Sequence, residues 1–264
     1  MKLEKLQFVV EDGVGIITMN YMKNLNAIDD QMADELMYVV DTCENDPNVK
    51  VVVLKRMPKA FSAGGDIGYF YILIQQGGEV NMDSLISKVG NVTDGLKRMS
   101  KLVISSVSGA AAGAGVSLAF SGDFVVCADN AKFIMAFVNL GLVPDTGGTY
   151  LFVKSLGIQK AMELCVTGRP MEAQEAKDAG MVYDVVPAEE LDDTVMKLAK
   201  KFASGPLLSY KNIKKQIYQA GLADYKKYLD ECEIPTQREC AASSDFIEGV
   251  KAFMEKRKAE FKGE

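Results

Sequence analysis

The sequence predicts an α/β protein, a core built on a largely parallel sheet and followed by a helical C-terminal region. Three observations predict it. Runs rich in β-branched residues alternate with stretches of helical periodicity up to about residue 188 of 264, the pattern of successive βα crossovers. Glycine-rich turns follow several of those runs. Beyond that point strand signals stop and only helical spacing remains. No repeat of fixed period and no long Ser/Gly/Pro linker divides the chain. The expected organisation is a core over residues 1–204 and a helical region over 205–264.

Taken in order, QFVVE and GVGIITMN read as two strands punctuated by Asp12-Gly13, a strong hairpin signal. From Asp29 the apolar positions Met32, Leu36, Val39, Val40 and Cys43 fall at helical spacing, which ends near Asn45-Asp46-Pro47. VKVVVLKR (Val49 to Arg56), LVISSVSG (Leu102 to Gly109) and DFVVCAD (Asp123 to Asp129) are continuous β-branched runs, as expected of strands buried on both faces. In the tail, Leu191, Val195, Leu198 and Phe202 share one helix face, and Phe246, Val250, Phe253 and Phe261 another. Gly205-Pro206 starts a helix that Gly221 ends. So apolar a tail needs a surface to pack on, its own core or a neighbouring subunit.

Composition excludes much chemistry. Lys+Arg number 30 against Asp+Glu 36, a net charge of −6, so the global field repels nucleic acid and anionic membranes. With no histidine, Ser-His-Asp and Cys-His systems and nearly all catalytic zinc sites are out; no metal site is expected. The five cysteines, Cys43, Cys127, Cys165, Cys232 and Cys240, form no CxxC pair, as expected of free thiols in a reducing compartment. The N-terminal MKLEKLQFVVEDG lacks the apolar core of a signal peptide, and no run of about 18 apolar residues follows. These features predict a cytoplasmic protein.

Three glycine-rich turns are the candidates for chemistry. AFSAGGDI (Ala60 to Ile67) can present backbone N–H groups to a ligand, with Asp66 capping the helix that begins near Ile67. SGAAAGAGVSLA (Ser108 to Ala119) runs a strand into a helix whose first turn offers free N–H groups at the positive end of the dipole, suited to a developing oxyanion. It is no dinucleotide fingerprint, because Leu118 stands where the third glycine of GxGxxG belongs. LGLVPDTGGTY (Leu140 to Tyr150) places Asp145 where it could cap a helix or act on a substrate.

The combination and order of FSAGGDI, GAAAGAGVSLA, LGLVPDTGGTY, GRPMEAQEAKDAGMVYDVVP and the closing AFMEKRKAEFK resemble the crotonase superfamily, the enoyl-CoA hydratase/isomerase family, over the whole chain. The resemblance implies a spiral of ββα units, a homotrimer or hexamer completed by the C-terminal helices, and an acyl-CoA thioester as substrate, with coenzyme A part of that substrate and no separate cofactor. It implies an oxyanion hole from the N–H groups of Ala63 and Ala114. It also implies coenzyme A contacts at Lys23, Ala63, Gly64, Asp66, Ile67, Gly113 and Lys256. Tyr69, Phe70 and Leu73, in the stretch Gly68 to Gly78, are expected to line the acyl pocket.

Within the family, hydratases carry two glutamates that hold the added water. Here those positions fall on Ser117 and Phe137, neither of which can take a proton from water. Asp145 stands instead where Δ3,Δ2-enoyl-CoA isomerases have a carboxylate. The resemblance therefore implies isomerisation through a dienolate, with Asp145 as the base and burial raising its pKa. 4-Chlorobenzoyl-CoA dehalogenases also use an aspartate at this turn, but with a histidine and a tryptophan that this chain lacks. Hydratase-like activity, thioester hydrolysis, a carrier-protein-linked isomerase and a silent acyl-CoA binder are the alternatives. An RNA-binding role is disfavoured, since the densest basic cluster is KAFMEKRKAEFK, with five basic and two acidic residues.

Overall fold

The computed structural model describes residues 1–57, 60–77 and 80–264. The chain opens with the hairpin β1 (Leu6–Glu11) and β2 (Val14–Met19), paired so that Asp12-Gly13 forms the connection. Helix α1 (Asp30–Asn45) is capped by Asp29, whose carboxylate accepts from the Met32 N–H at 2.9 Å, and leads into β3 (Val51–Arg56). There follow α2 (Ile67–Gln75), α3 (Asp83–Arg98), β4 (Leu102–Val107), β5 (Ala110–Ala112), α4 (Ala114–Phe120), β6 (Phe124–Ala128) and β7 (Lys132–Ile134). A short helical turn at Ala136–Leu140 precedes α5 (Gly148–Leu156), α6 (Ile158–Thr167), β8 (Pro170–Glu172), α7 (Ala173–Asp178), β9 (Asp184–Val186) and α8 (Leu191–Ala203). The C-terminal region holds α9 (Leu207–Gly221), α10 (Tyr225–Tyr228), a π-helical turn at Leu229–Glu233, α11 (Ile234–Ala241) and α12 (Ser244–Glu255).

Six strands form the main sheet in the order β1-β2-β3-β4-β6-β9, with β1 antiparallel to β2 and every other pair parallel. The predicted α/β class with its largely parallel sheet is therefore observed. Both faces of the central strands are covered. Val51, Val53, Ile104 and Val126 pack under Leu191, Val195 and Ala199 of α8, while Val52, Leu54, Val103 and Val125 face Leu36, Val40, Val92 and Leu96 of α1 and α3. Covering on both faces is why these strands read as unbroken apolar runs rather than alternations.

A second sheet of three strands, β5-β7-β8, pairs Ala111 with Phe133 in parallel and Phe133 with Met171 in antiparallel. A bridge between Ser62 and Ala111 ties it to the turn after β3. The first two glycine-rich turns thus lie side by side: a Cβ on Gly113 would stand 3.8 Å from the Cα of Gly64. The glycine-rich stretch predicted at 60–67 and the helix after it appear as expected, with α2 ending at Gln75; Gly78 lies outside the described residues.

Tyr225, Leu229, Phe246 and Val250 of the C-terminal region join the larger core, so this region closes over its own chain. One expectation for it fails. Phe246 and Val250 share a buried helix face, but Phe253 is 57% exposed, and Phe261 is not in the helix at all. Lys256 takes a left-handed conformation (φ 55) that ends α12, and the Asp245 carboxylate then accepts the N–H groups of Lys262 and Gly263 at 2.6 and 2.8 Å. The last residues therefore run back along α12. Among the described residues no helix is long and apolar enough to cross a membrane, and no cluster of potential metal ligands occurs.

Candidate active site

The three glycine-rich turns converge on one cavity of about 80 Å³. Ala63, Gly65 and Ile67 from the first turn, Gly113 and Ala114 from the second and Asp145 and Thr146 from the third all line it. Phe70, Ile86, Val89, Phe137 and Leu142 supply much of the remaining apolar wall, and Gln237 arrives from α11. Asp145 is the one ionisable side chain among the described lining residues.

Asp145 does not cap α5. The helix begins at Gly148 with Gly147 as its cap residue, and the Asp145 carboxylate turns into the cavity, 6% exposed. Its Oδ2 accepts from Gln237 Nε2 at 3.0 Å. Burial pushes its pKa up to about 7, against the opposing effect of that hydrogen bond, so the carboxyl exchanges a proton near neutrality.

The turn that carries it is strained and firmly held. Thr146, a β-branched residue, sits at φ 56 and Gly147 at φ 95, and an L-residue in the left-handed region costs on the order of 1–3 kcal/mol. Four contacts fix it. Thr93 Oγ1 and Tyr225 Oη donate to the Thr146 carbonyl at 3.1 and 3.3 Å, Ser117 Oγ donates to the Asp145 carbonyl at 3.1 Å, and the Gly147 N–H donates to Glu233 Oε2 at 2.8 Å. Ser117 is fully buried and does not line the cavity. It braces the main chain of the turn, so no acid/base group reaches the cavity from that position. Phe137, at the other position where hydratases hold glutamate, forms apolar wall.

The structure separates the remaining predicted residues. Ala114 stands at the first position of α4, where its N–H has no acceptor within the helix and points from the positive end of the dipole. Gly113 before it takes φ 51 and ψ −127, a conformation that needs glycine. Ala63 lines the cavity, but the expectation of a free donor there is corrected: its N–H donates to the Leu25 carbonyl at 3.0 Å. The reason lies in Leu25 and Asn26, both at positive φ, which turn that carbonyl toward the loop. A substrate oxygen at Ala63 would share the donor with Leu25.

Gly64 spends its carbonyl on the Ile28 N–H at 2.7 Å and does not line the cavity. Asp66 caps α2, accepting from the Tyr69 N–H at 3.1 Å and from Asn24 Nδ2 at 2.9 Å, and is likewise outside the cavity wall. Lys23 and Lys256 are exposed, and neither borders the cavity. Of the proposed acyl-pocket residues, Phe70 lines the cavity whereas Tyr69 and Leu73 do not. Glu233, Gln237, Thr93 and Tyr225 are functional-site residues that sequence reasoning missed. The available signal was the spacing of Glu233 and Gln237, four apart in a helical tail and so on one face.

Comparison with known proteins places this geometry. The sequence profile of the family described as Enoyl-CoA hydratase/isomerase matches residues 10–264. The chain is 32% identical to a trans-2-decenoyl-[acyl-carrier-protein] isomerase from Streptococcus mutans over 100% of both chains. It is 36% identical to a 1,2-epoxyphenylacetyl-CoA isomerase from Escherichia coli, covering 96% of this chain and 97% of that one. A mitochondrial enoyl-CoA hydratase from Pongo abelii is 35% identical over 94% of this chain and 83% of its own length. Among solved structures, an enoyl-CoA hydratase from Mycobacterium avium subsp. paratuberculosis superposes with a TM-score of 0.90 at 29% identity, over 99% of this chain and 100% of that one. The three converging turns, the fold and these matches together show that the chain belongs to the enoyl-CoA hydratase/isomerase family, within the crotonase superfamily.

Proposed function

We propose that this enzyme is a Δ3 to Δ2 enoyl thioester isomerase acting on an acyl-CoA, with Asp145 as its single proton shuttle. The observation that carries the reading is the one carboxylate in a largely apolar cavity whose wall also includes Ala114, the first residue of α4, with its N–H unpaired within the helix. Hydration of a double bond needs a held and activated water. Ser117 is buried beneath the turn and Phe137 is apolar wall, which supports isomerisation by a single carboxylate over hydration by a pair of acids.

In this mechanism an Asp145 carboxylate oxygen takes a proton from C2 of the 3-enoyl thioester. The C2–H electron pair becomes a C1–C2 double bond and the carbonyl pair passes to the thioester oxygen, giving a dienolate in which the C3–C4 double bond is conjugated and still intact. The Ala114 N–H donates to that oxygen, with Ala63 sharing its donor, and a donor of this kind contributes about 3 kcal/mol in the transition state. The Asp145 carboxylic acid then returns the proton to C4, leaving the double bond at C2–C3 and the carboxylate regenerated. Protons and electrons balance within the substrate, and no separate cofactor enters. The apolar wall keeps water from competing for the dienolate. The relative named as an isomerase of a trans-2-decenoyl thioester supports the reaction class. We further propose a homotrimer or hexamer, since Ile213 and Ile217, four apart on one face of α9, are 51% and 67% exposed and this face needs a cover.

The test is Asp145→Asn, which keeps the shape and removes the base. Conversion of 3-enoyl-CoA to 2-enoyl-CoA should fall at least about 100-fold, with acyl-CoA affinity nearly unchanged, and the unaltered enzyme should hydrate crotonyl-CoA poorly. A fully active variant, or efficient hydration without isomerisation, overturns the proposal.

A further inference from the structure

Two residues of the C-terminal region reach the Asp145 turn from one helix face. Glu233 ends the π-helical turn and Gln237 lies one helical turn further on, in α11. Glu233 grips the main chain at Gly147. Gln237 grips the carboxylate itself. It is 1% exposed, and both ends of its amide are used: Oε1 accepts the Val143 N–H at 3.0 Å while Nε2 donates to Asp145 Oδ2 at 3.0 Å. The assignment of the two ends is forced, because a main-chain N–H at Val143 can meet only the amide oxygen, which leaves the NH₂ for the carboxylate. Gln237 thus spans from the main chain at Val143, before the turn, to the side chain of Asp145 at its start, and lines the cavity in doing so.

We propose that Gln237 is a positioning residue for Asp145, holding Oδ2 so that the other carboxylate oxygen is presented to the substrate and the charged form is favoured over the neutral one. The inference rests on the reading of Asp145 as the proton shuttle and adds what sets its geometry and its working pH. A carboxylate with a single apolar cavity around it would rotate freely about its terminal bond; one amide donor anchored at its far end removes that freedom and stabilises the anion. The other groups facing this turn are few. Glu233 comes from the π-helical turn, its acid pushed up to about 8 chiefly by burial, and Tyr225 comes from α10, its phenol held well above the usual range by burial. α3 presents Thr93, α4 presents Ser117, and the Ala136–Leu140 turn presents Phe137, none of which titrates. Gln237 is therefore the larger of two neutral groups that oppose the burial of Asp145, the Thr146 hydroxyl beside it being the other.

The experiment is the pH profile of kcat for 3-enoyl-CoA isomerisation in the intact enzyme, in Gln237→Met and in Gln237→Glu. Met fills the volume and donates nothing, so the acid limb should move up by about one pH unit, the order of one hydrogen bond to a charged group. At pH 6 this is a fall of about tenfold in kcat, recovering to within about twofold at pH 9, with KM changed by less than about twofold. Glu keeps the acceptor for Val143 but donates only when protonated, so its limb should also move up, and it provides the test should the Met variant not fold. A limb that stays in place in the folded variant, or a loss that is the same at pH 6 and pH 9, overturns the inference, since a purely structural role would not recover with pH. Asp145→Asn, run beside them, separates the two ideas: its retention of activity would sink the proposed function, while an inactive Asp145→Asn with an unmoved Gln237 profile would sink only the positioning role.

Discussion

Asp145→Asn should make the protein more stable at neutral pH while removing its activity. The carboxyl has a reference pKa of 3.8 and is pushed up to about 7 in the folded chain by burial. A group whose folded pKa is raised in this way binds its proton more tightly in the native state. The resulting stability is fully present below about pH 3.8 and is lost as pH rises through about 7. Each pH unit is worth about 1.36 kcal/mol, so the ionised carboxylate costs at most about 4 kcal/mol above that range. Relaxation and water entering the cavity reduce this, and about 2 kcal/mol is the expected gain for Asn, whose amide oxygen still accepts from Gln237. For a chain of this size that is roughly 4–8 °C in Tm. The assay is urea and thermal unfolding of both proteins from pH 4 to pH 9. The curves should meet near pH 4, diverge steadily as pH rises to about 7 and keep a constant separation above it, with the variant the more stable. A residual slope should remain in the variant from Glu233, which burial also raises. A variant of lower stability at pH 8, or one with the same pH slope as the unaltered protein, would show that Asp145 is not desolvated as the structure has it.

Two further outcomes test the packing that holds the site. Gly147→Ala should lower stability by about 3 kcal/mol or more and reduce activity with it, because its Cβ would stand 1.7 Å from Tyr225 Oη at a residue with φ +95; a urea midpoint within error of the unaltered protein would refute this. Lys214→Met should cost about 3 kcal/mol in the same measurement, since the buried Lys214 Nζ donates to the Leu96 and Lys101 carbonyls at 2.9 Å each and pairs with the partly buried Asp123 at 2.7 Å; no change would mean that α9 is not anchored to its own core.

The sequence by itself determined the elements whose signals are local. β-branched runs such as VKVVVLKR announce strands, Asp12-Gly13 announces the hairpin, Asp29 announces the start of α1, and the order of three glycine-rich turns announces where ligand groups cluster. Backbone preference and side-chain period act over a few residues, which is why a linear reading finds them. Asp145 read alone fits a helix cap as well as an acid; the resemblance to the family singled it out, because Ser117 and Phe137 stand where the family's hydratases carry glutamates. The second sheet escaped because strands of three residues, such as Ala110–Ala112 and Pro170–Glu172, are too short to show a period. The end of α12 escaped because Asp245 draws the last residues back through main-chain bonds that no helical pattern announces.

Only the tertiary structure decided how the acid is held. Gln237 lies 92 residues from Asp145 along the chain and Glu233 86 residues from Gly147, and nothing local in the tail says which surface its helices meet. The raised pKa of Asp145 and the engagement of the Ala63 N–H by Leu25 belong to the same class. Burial and donor satisfaction are properties of what packs around a group, so they come into being only when distant segments close on one cavity.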